Sequence, residues 1–192
     1  MTLFPLFHGL AELFSVAVAW AVFMLAWNAR RIIRNDALVF LGIVFLFTGF
    51  LDLLHTLSYK DMGFLPASWG ADPATQIWIA ARFLQSGGLL AFPLLLGRRF
   101  RMTPVFAAGF AATALVVLSI FVWRVFPACY VEGSGLTEFK ITAEYAICFA
   151  LGAAAYLLRR RRNLMDPGVY RLFLMAIGAG IQIGRASCRE RV

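Results

Sequence analysis

The sequence predicts an all-α fold: a polytopic bundle of transmembrane helices with six readable spans, and at least one more expected to follow them. Three observations carry this. Hydrophobic residues make up 61% of the 192 positions and charged residues only 15%, a balance that a soluble domain of this size could not bury. Apolar runs near 20 residues recur along the chain, and lipid cannot satisfy backbone N–H and C=O groups, so each run must close its hydrogen bonds within itself as a helix. The connections between the runs alternate between arginine-rich and mixed charge, as those of a multi-pass protein do.

The first apolar run, Phe7 to Trp27, is too long for the core of a signal peptide and has no basic residues before it. The second is Ala37 to Ser58, and the third Gln76 to Leu96, where Gly87-Gly88 and Pro93 are expected to thin or kink the helix. The fourth is Pro104 to Trp123, the fifth Ile141 to Leu158 and the sixth Val169 to Ile183. Each is long enough, or nearly so, to cross ~30 Å of hydrocarbon at ~1.5 Å per residue.

The first connection carries Arg30, Arg31 and Arg34, the third Arg98, Arg99 and Arg101, and the fifth Arg159 to Arg162 with Arg171 just beyond. The second sets Lys60 against Asp61 and Asp72, and the fourth sets Arg124 and Lys140 against Glu132 and Glu138. The positive-inside rule puts the odd-numbered connections in the cytoplasm and the N-terminus outside. Topology therefore accounts for the net charge of +8, and the partner is a lipid bilayer with no nucleic acid. Cys129, Cys148 and Cys188 show no CxxC or zinc-like spacing, so they suggest no disulfide or metal framework.

The end of the chain is anomalous. "IGRASCRERV", Ile183 to Val192, interrupts the sixth run with sudden charge. It reads as the translation of a common sequencing adapter, ATC GGA AGA GCG TCG TGT AGG GAA AGA GTG, in which all ten codons fit. Residues 1–182 are expected to form an incomplete multi-span domain and 183–192 a non-native tail. Re-sequencing the locus tests this, and a native frame with the same codons would refute it. With the N-terminus outside, six crossings end outside, and a seventh would return the chain to the cytoplasm.

Few ionisable residues lie inside the spans: His8 and Glu12 in the first, Asp52 and His55 in the second, Arg82 in the third and Glu144 in the fifth. The topology sets all six near the outer surface, within ~10 Å of it at ~1.5 Å per residue. His8 and Glu12 share a helix face at i, i+4, and Asp52 and His55 do so at i, i+3. A charge in a bilayer costs ~2.5–3.5 kcal/mol or more, so such groups usually pair or carry function.

Several chemistries suit the set. Arg82 could pair with Glu12 or Asp52 in a structural salt-bridge network. His8, Glu12, Asp52 and His55 could bind a divalent transition metal. The two histidines could titrate near neutral pH in a proton-sensing or small-ligand pocket. Haem b between His8 and His55 is conceivable, although the carboxylates make the pocket polar for it. The connection from Lys60 to Thr75 could cover the pocket as a lid. No G-x-S-x-G, H-E-x-x-H or P-loop pattern appears, so this segment is not expected to be an enzyme. A small transporter is a rival reading, but the inner halves of the spans are almost wholly apolar and offer no polar path.

Three stretches, "FHGLAELFSVAVAWAVFMLAWNAR", "LGIVFLFTGFLDLLHTLSYKDMG" and "ATQIWIAARFLQSGGLL", together resemble the MASE3 type of membrane-associated sensor domain. The resemblance is specific from about Phe7 to Leu90; from Pro104 onward it lies in hydropathy and arrangement. It implies a sensory input module in the cytoplasmic membrane of a bacterium, joined to a histidine kinase, diguanylate cyclase or PAS domain and working as a homodimer. It also implies that His8, Glu12, Asp52, His55 and Arg82 stand at motif positions of the family. Asp61 departs from the pattern where glycine is expected.

Overall fold

The structure is a computed structural model that describes residues 3–33, 35–59 and 64–189, with the side chains of 3–8, 33, 67 and 183–189 outside the description. It consists of six helices: α1 (Leu3–Ile33), α2 (Asp36–Leu57), α3 (Asp72–Leu95), α4 (Met102–Phe121), α5 (Glu138–Arg160) and α6 (Pro167–Arg189). A two-stranded antiparallel ribbon, β1 (Tyr130–Val131) and β2 (Gly135–Leu136), sits in the connection between α4 and α5. Among the described residues five helices, α1 to α5, are long and apolar enough to cross a membrane. The sixth predicted run does form a helix, but its apolar stretch is bounded by Arg171 and Arg185. All six predicted runs form helices, and among the described residues five of them meet the length and hydropathy of a span, so six is an approximate span count.

The helices alternate in direction, and two hydrogen-bonded clamps tie their connections together. At one end Asp36, in the first turn of α2, accepts from the backbone N–H of Phe100 at 3.1 Å and pairs with Arg99. This joins the first and third connections, the ones rich in arginine. At the other end Asp72, in the first turn of α3, accepts from the N–H groups of both Cys129 and Tyr130 at 2.7 Å. The second and fourth connections therefore lie together on the opposite side.

Packing is sequential on one flank. α2 lies against α1 and α3, α5 lies on the other side of α3, and α6 lies on α5, while α4 covers α2 and part of α3. The core follows: Leu41, Ile79, Leu89, Phe92, Ile147 and Leu151 are buried together, with the Phe92 and Phe173 rings stacked at 4.8 Å. α1 and α4 instead expose large apolar side chains, including Phe14, Leu25, Phe110 and Leu115. Leaving such area in water would cost about 25 cal/mol per Å²; a hydrocarbon surround removes that cost.

Close approach depends on small residues, as is usual where helices pack in lipid. Gly42 of α2 faces Ala26 and Phe23 of α1, and Gly49 faces Ala19 and Trp20. Gly88 of α3 meets Val44 of α2 with no room for a Cβ, whereas Gly87 has open space. The expected thinning of α3 is therefore real at Gly88, while the helix runs unbroken through Pro93, close to its end. Gly88→Leu is expected to destabilise the bundle by about 1–3 kcal/mol through overpacking. Gly87→Ala should be neutral or gain up to about 1 kcal/mol from helix propensity. Unfolding of the two variants in mixed micelles separates them, and equal losses would contradict this packing.

Candidate functional site

α3 supplies the centre of the site because it packs between α2 and α5, which carry the other charges. Trp78 and Arg82 are spaced i, i+4 on it and share a face. Its N-terminus lies at the acidic end, and helical side chains lean toward the N-terminus, so Arg82 leans toward Asp72 and the end of α2. There one guanidinium nitrogen, Nη2, donates to both carboxylate oxygens of Asp52, at 2.6 Å for Oδ2. Nη1 donates to Oε1 of Gln85, one turn on, at 2.7 Å. Asp52 is buried, and Arg82 keeps 23% of its side chain exposed.

A second ion pair stands across Trp78. Lys140 and Glu144 of α5, at i, i+4, bring Nζ to 2.6 Å from Oε1 with almost no exposure of either side chain. Thr137 starts this helix by accepting from the Lys140 N–H, which places both charges in its first two turns. The Trp78 ring has the Arg82 guanidinium 5.9 Å from its centroid and the Lys140 ammonium 5.5 Å away. Both lie within reach of cation–π attraction. α2, α3 and α5 are thus linked by four charges that sum to zero, with an indole between them.

His55 closes the outer edge. Its Nδ1 lies 2.8 Å from the Ala74 carbonyl in the first turn of α3. A carbonyl only accepts, so Nδ1 carries the proton. Thr56 donates to the Asp52 carbonyl one turn below. Further out, the Gln76 amide donates to Asp72 Oδ2 at 3.0 Å and to the Phe126 and Pro127 carbonyls, which anchors the fourth connection. Trp69 stacks on Phe121 beneath the Arg124 guanidinium, at 4.3 Å. The described part of the second connection therefore packs on the end of α4.

The six residues singled out in the sequence are distributed unevenly. Asp52 and Arg82 meet directly, and His55 lies one turn outward of Asp52. Glu144 is drawn to Lys140. Glu12 is half-buried on the α1 face that also carries Gly9, Val16 and Ala19. The register in which Ala19 meets Gly49 and Ala26 meets Gly42 sets Glu12 level with Thr56. His8 lies one turn further out in α1, and its side chain is outside the described residues, so the haem and four-ligand metal expectations that include it are not addressed by the geometry. Among the described residues no group of three or more His, Cys, Asp or Glu is arranged to hold a metal, and Asp52 is engaged by Arg82.

Arg82 lies further along its helix than the apolar run alone suggests. α3 begins at Asp72, not at Gln76, so the Arg82 Cα is about 15 Å into the helix at 1.5 Å per residue. In the sequence Lys140 and Asp72 read as connection charges, and nothing there marks Trp78 as part of the cluster. The i, i+4 spacing of Lys140 and Glu144 was the one available signal that the lysine belonged to the cluster.

Cys129 lies outside the spans. Burial, then the Asp72 carboxylate, push its thiol up to about 12, with Lys140 acting the other way. The thiolate is the reactive form, so Cys129 should resist iodoacetamide at pH 8 in the folded protein and react on unfolding. Because the raised value belongs to the folded state, its stabilising contribution is complete below about pH 9 and is lost as pH rises toward 12. Rapid labelling of native Cys129, read by mass spectrometry, would contradict this burial.

Apolar helices that match their internal charges in buried pairs, one across two spans and one within a span, define a polytopic membrane domain with a polar centre. The model of the MASE3 family, a membrane-associated sensor domain, matches residues 1–184. The chain belongs to that family. No curated protein and no solved structure matches it.

Proposed function

We propose that this domain is the sensory input module of a bacterial signalling protein and that the Asp52–Arg82 pair is its switching contact. The observation that carries the reading is the continuous chain Asp52–Arg82–Trp78–Lys140–Glu144, which ties three helices together below the acidic end. Buried ion pairs are stable only with both partners in place. A signal that protonates or competes for Asp52 would release Arg82, loosen α2 from α3 and, through Trp78, shift α5 on the far side of α3. Such a two-state shift needs only a signal that binds one arrangement better than the other.

The orientation that suits this reading has the arginine-rich connections in the cytoplasm and the N-terminus outside, in the bacterial inner membrane. The output is then a cytoplasmic histidine kinase or diguanylate cyclase, working as a homodimer, and the chain itself carries no catalysis. Reading the complete gene tests the output: a kinase or cyclase domain after the last helix is expected, and a stop codon directly after it would overturn the reading. Labelling tests the orientation. Ser134→Cys should react with an impermeant maleimide in intact cells and Arg101→Cys only after lysis, and the reverse pattern would invert the topology.

A further inference from the structure

Beside the ion-pair chain, α3, α5 and α6 line a partly open cavity of about 150 Å³ whose wall includes Trp78, Arg82, Gln85, Glu144, Leu151 and Ala179. We propose that this cavity is a binding site for an uncharged, single-ring molecule bearing a hydroxyl group, a simple phenol. As a signal, such a ligand rests on the sensory reading above; as a bound molecule it does not.

Size comes first. Cavities near 150 Å³ in protein interiors accept a benzene-sized guest. The same volume would hold about five waters at ~30 Å³ each, and a ring that displaces them must replace some of their hydrogen bonds.

Charge comes next. Arg82 is already matched by Asp52, and Glu144 by Lys140. A charged guest would unbalance a neutral wall and would itself have to leave water for a site among membrane helices, which is costly. A neutral guest meets neither penalty and can arrive through the bilayer.

Polarity decides the rest. The wall is not uniform: the α3 side brings the Gln85 amide and the Arg82 guanidinium, and α5 brings the Glu144 carboxylate, while Leu151 and the α6 alanines are apolar. The Arg82 Nε–H is buried without a hydrogen-bond partner. A plain hydrocarbon would leave such groups stranded. A hydroxyl both donates and accepts. It can donate to a carboxylate, which has room for more than one donor, and accept from the amide. The Trp78 face and the aliphatic wall then take the ring.

The test uses the full chain in lipid nanodiscs with p-cresol as the probe, titrated calorimetrically without any output reading. Saturable binding at one site per chain is expected, with toluene and benzoate each at least tenfold weaker. Gly180→Leu should cut p-cresol binding at least tenfold, since a Cβ at Gly180 points to Leu151 across the wall at 3.3 Å. Absence of saturable p-cresol binding would overturn the proposal. So would equal binding of toluene or benzoate, which needs only the unaltered chain, and so would unchanged binding in folded Gly180→Leu. If p-cresol binds but leaves the output of the complete protein unaltered, the site stands and its role as the signal falls.

Discussion

Lys140→Met is expected to destabilise the domain by about 3–5 kcal/mol, the cost of leaving one partner of a buried ion pair alone. The size follows from burial: the Lys140 and Glu144 side chains retain 4% and 1% of their surface, and Nζ and Oε1 lie 2.6 Å apart. Without the ammonium, the Glu144 carboxylate stays at a cavity wall among apolar helices, and it must either keep an unmatched charge or take up a proton at a free-energy cost. The Trp78 face also loses its cation. Removing both charges is a different matter. The double variant Lys140→Met/Glu144→Leu leaves no charge behind and should recover most of the loss, because packed apolar pairs often match or exceed buried ion pairs. Reversible unfolding in mixed micelles measures all three variants. A loss under about 1 kcal/mol in Lys140→Met would mean that the pair is hydrated and the helix contact looser than described.

The second large effect falls on Asp52. Asp52→Ala should cost about 2–3 kcal/mol, less than a fully enclosed pair because Arg82 keeps 23% of its side chain exposed and can recover some solvation. A double-mutant cycle with Arg82→Ala should show a coupling of about 1–3 kcal/mol, since the two side chains share a direct charge-assisted contact. In the complete signalling protein, Asp52→Ala and Arg82→Ala should each fix the output in one state, while Asp52→Glu, which keeps the charge, should retain part of the response. The comparison with Lys140→Met is informative. If every destabilising variant silenced the output equally, the Asp52 contact would be scaffolding. If Asp52→Ala alters the output at a stability where a packing variant away from the α2–α3 seam, such as Gly42→Leu against Ala26 of α1, does not, the contact is a switch.

Much of the fold was legible because lipid narrows the choices. A run of about 20 apolar residues has one way to satisfy its backbone, so the helices and their order could be read from hydropathy. The arginine clusters marked one set of connections, and the two aspartate clamps of the structure join the same sets. Boundaries were less legible. α3 begins at Asp72, where an acidic residue followed by Pro73 is a local start signal that hydropathy alone passes over, and Asp72 and Gln76 find partners in a distant connection.

The polar centre divides in the same way. Composition alone marked Asp52, Arg82 and Glu144 as costly inside a membrane and therefore in need of partners. Which partner each takes was not written in their spacing. Arg82 reaches Asp52 because Gly88 lets α3 lie directly on α2, and Glu144 turns to Lys140 because the two share one face of α5. Trp78 joins the pairs only because α5 packs on the far side of α3.

The sequence by itself determined that the chain is a membrane bundle, which way its connections divide, and which ionisable residues had to be matched. Those properties follow from transfer energies that each residue carries wherever it sits. The tertiary structure alone decided the pairing, the indole between the pairs and the cavity beside them. These depend on which helix faces meet, and that is set by the fit of small and large side chains across helices far apart in the chain.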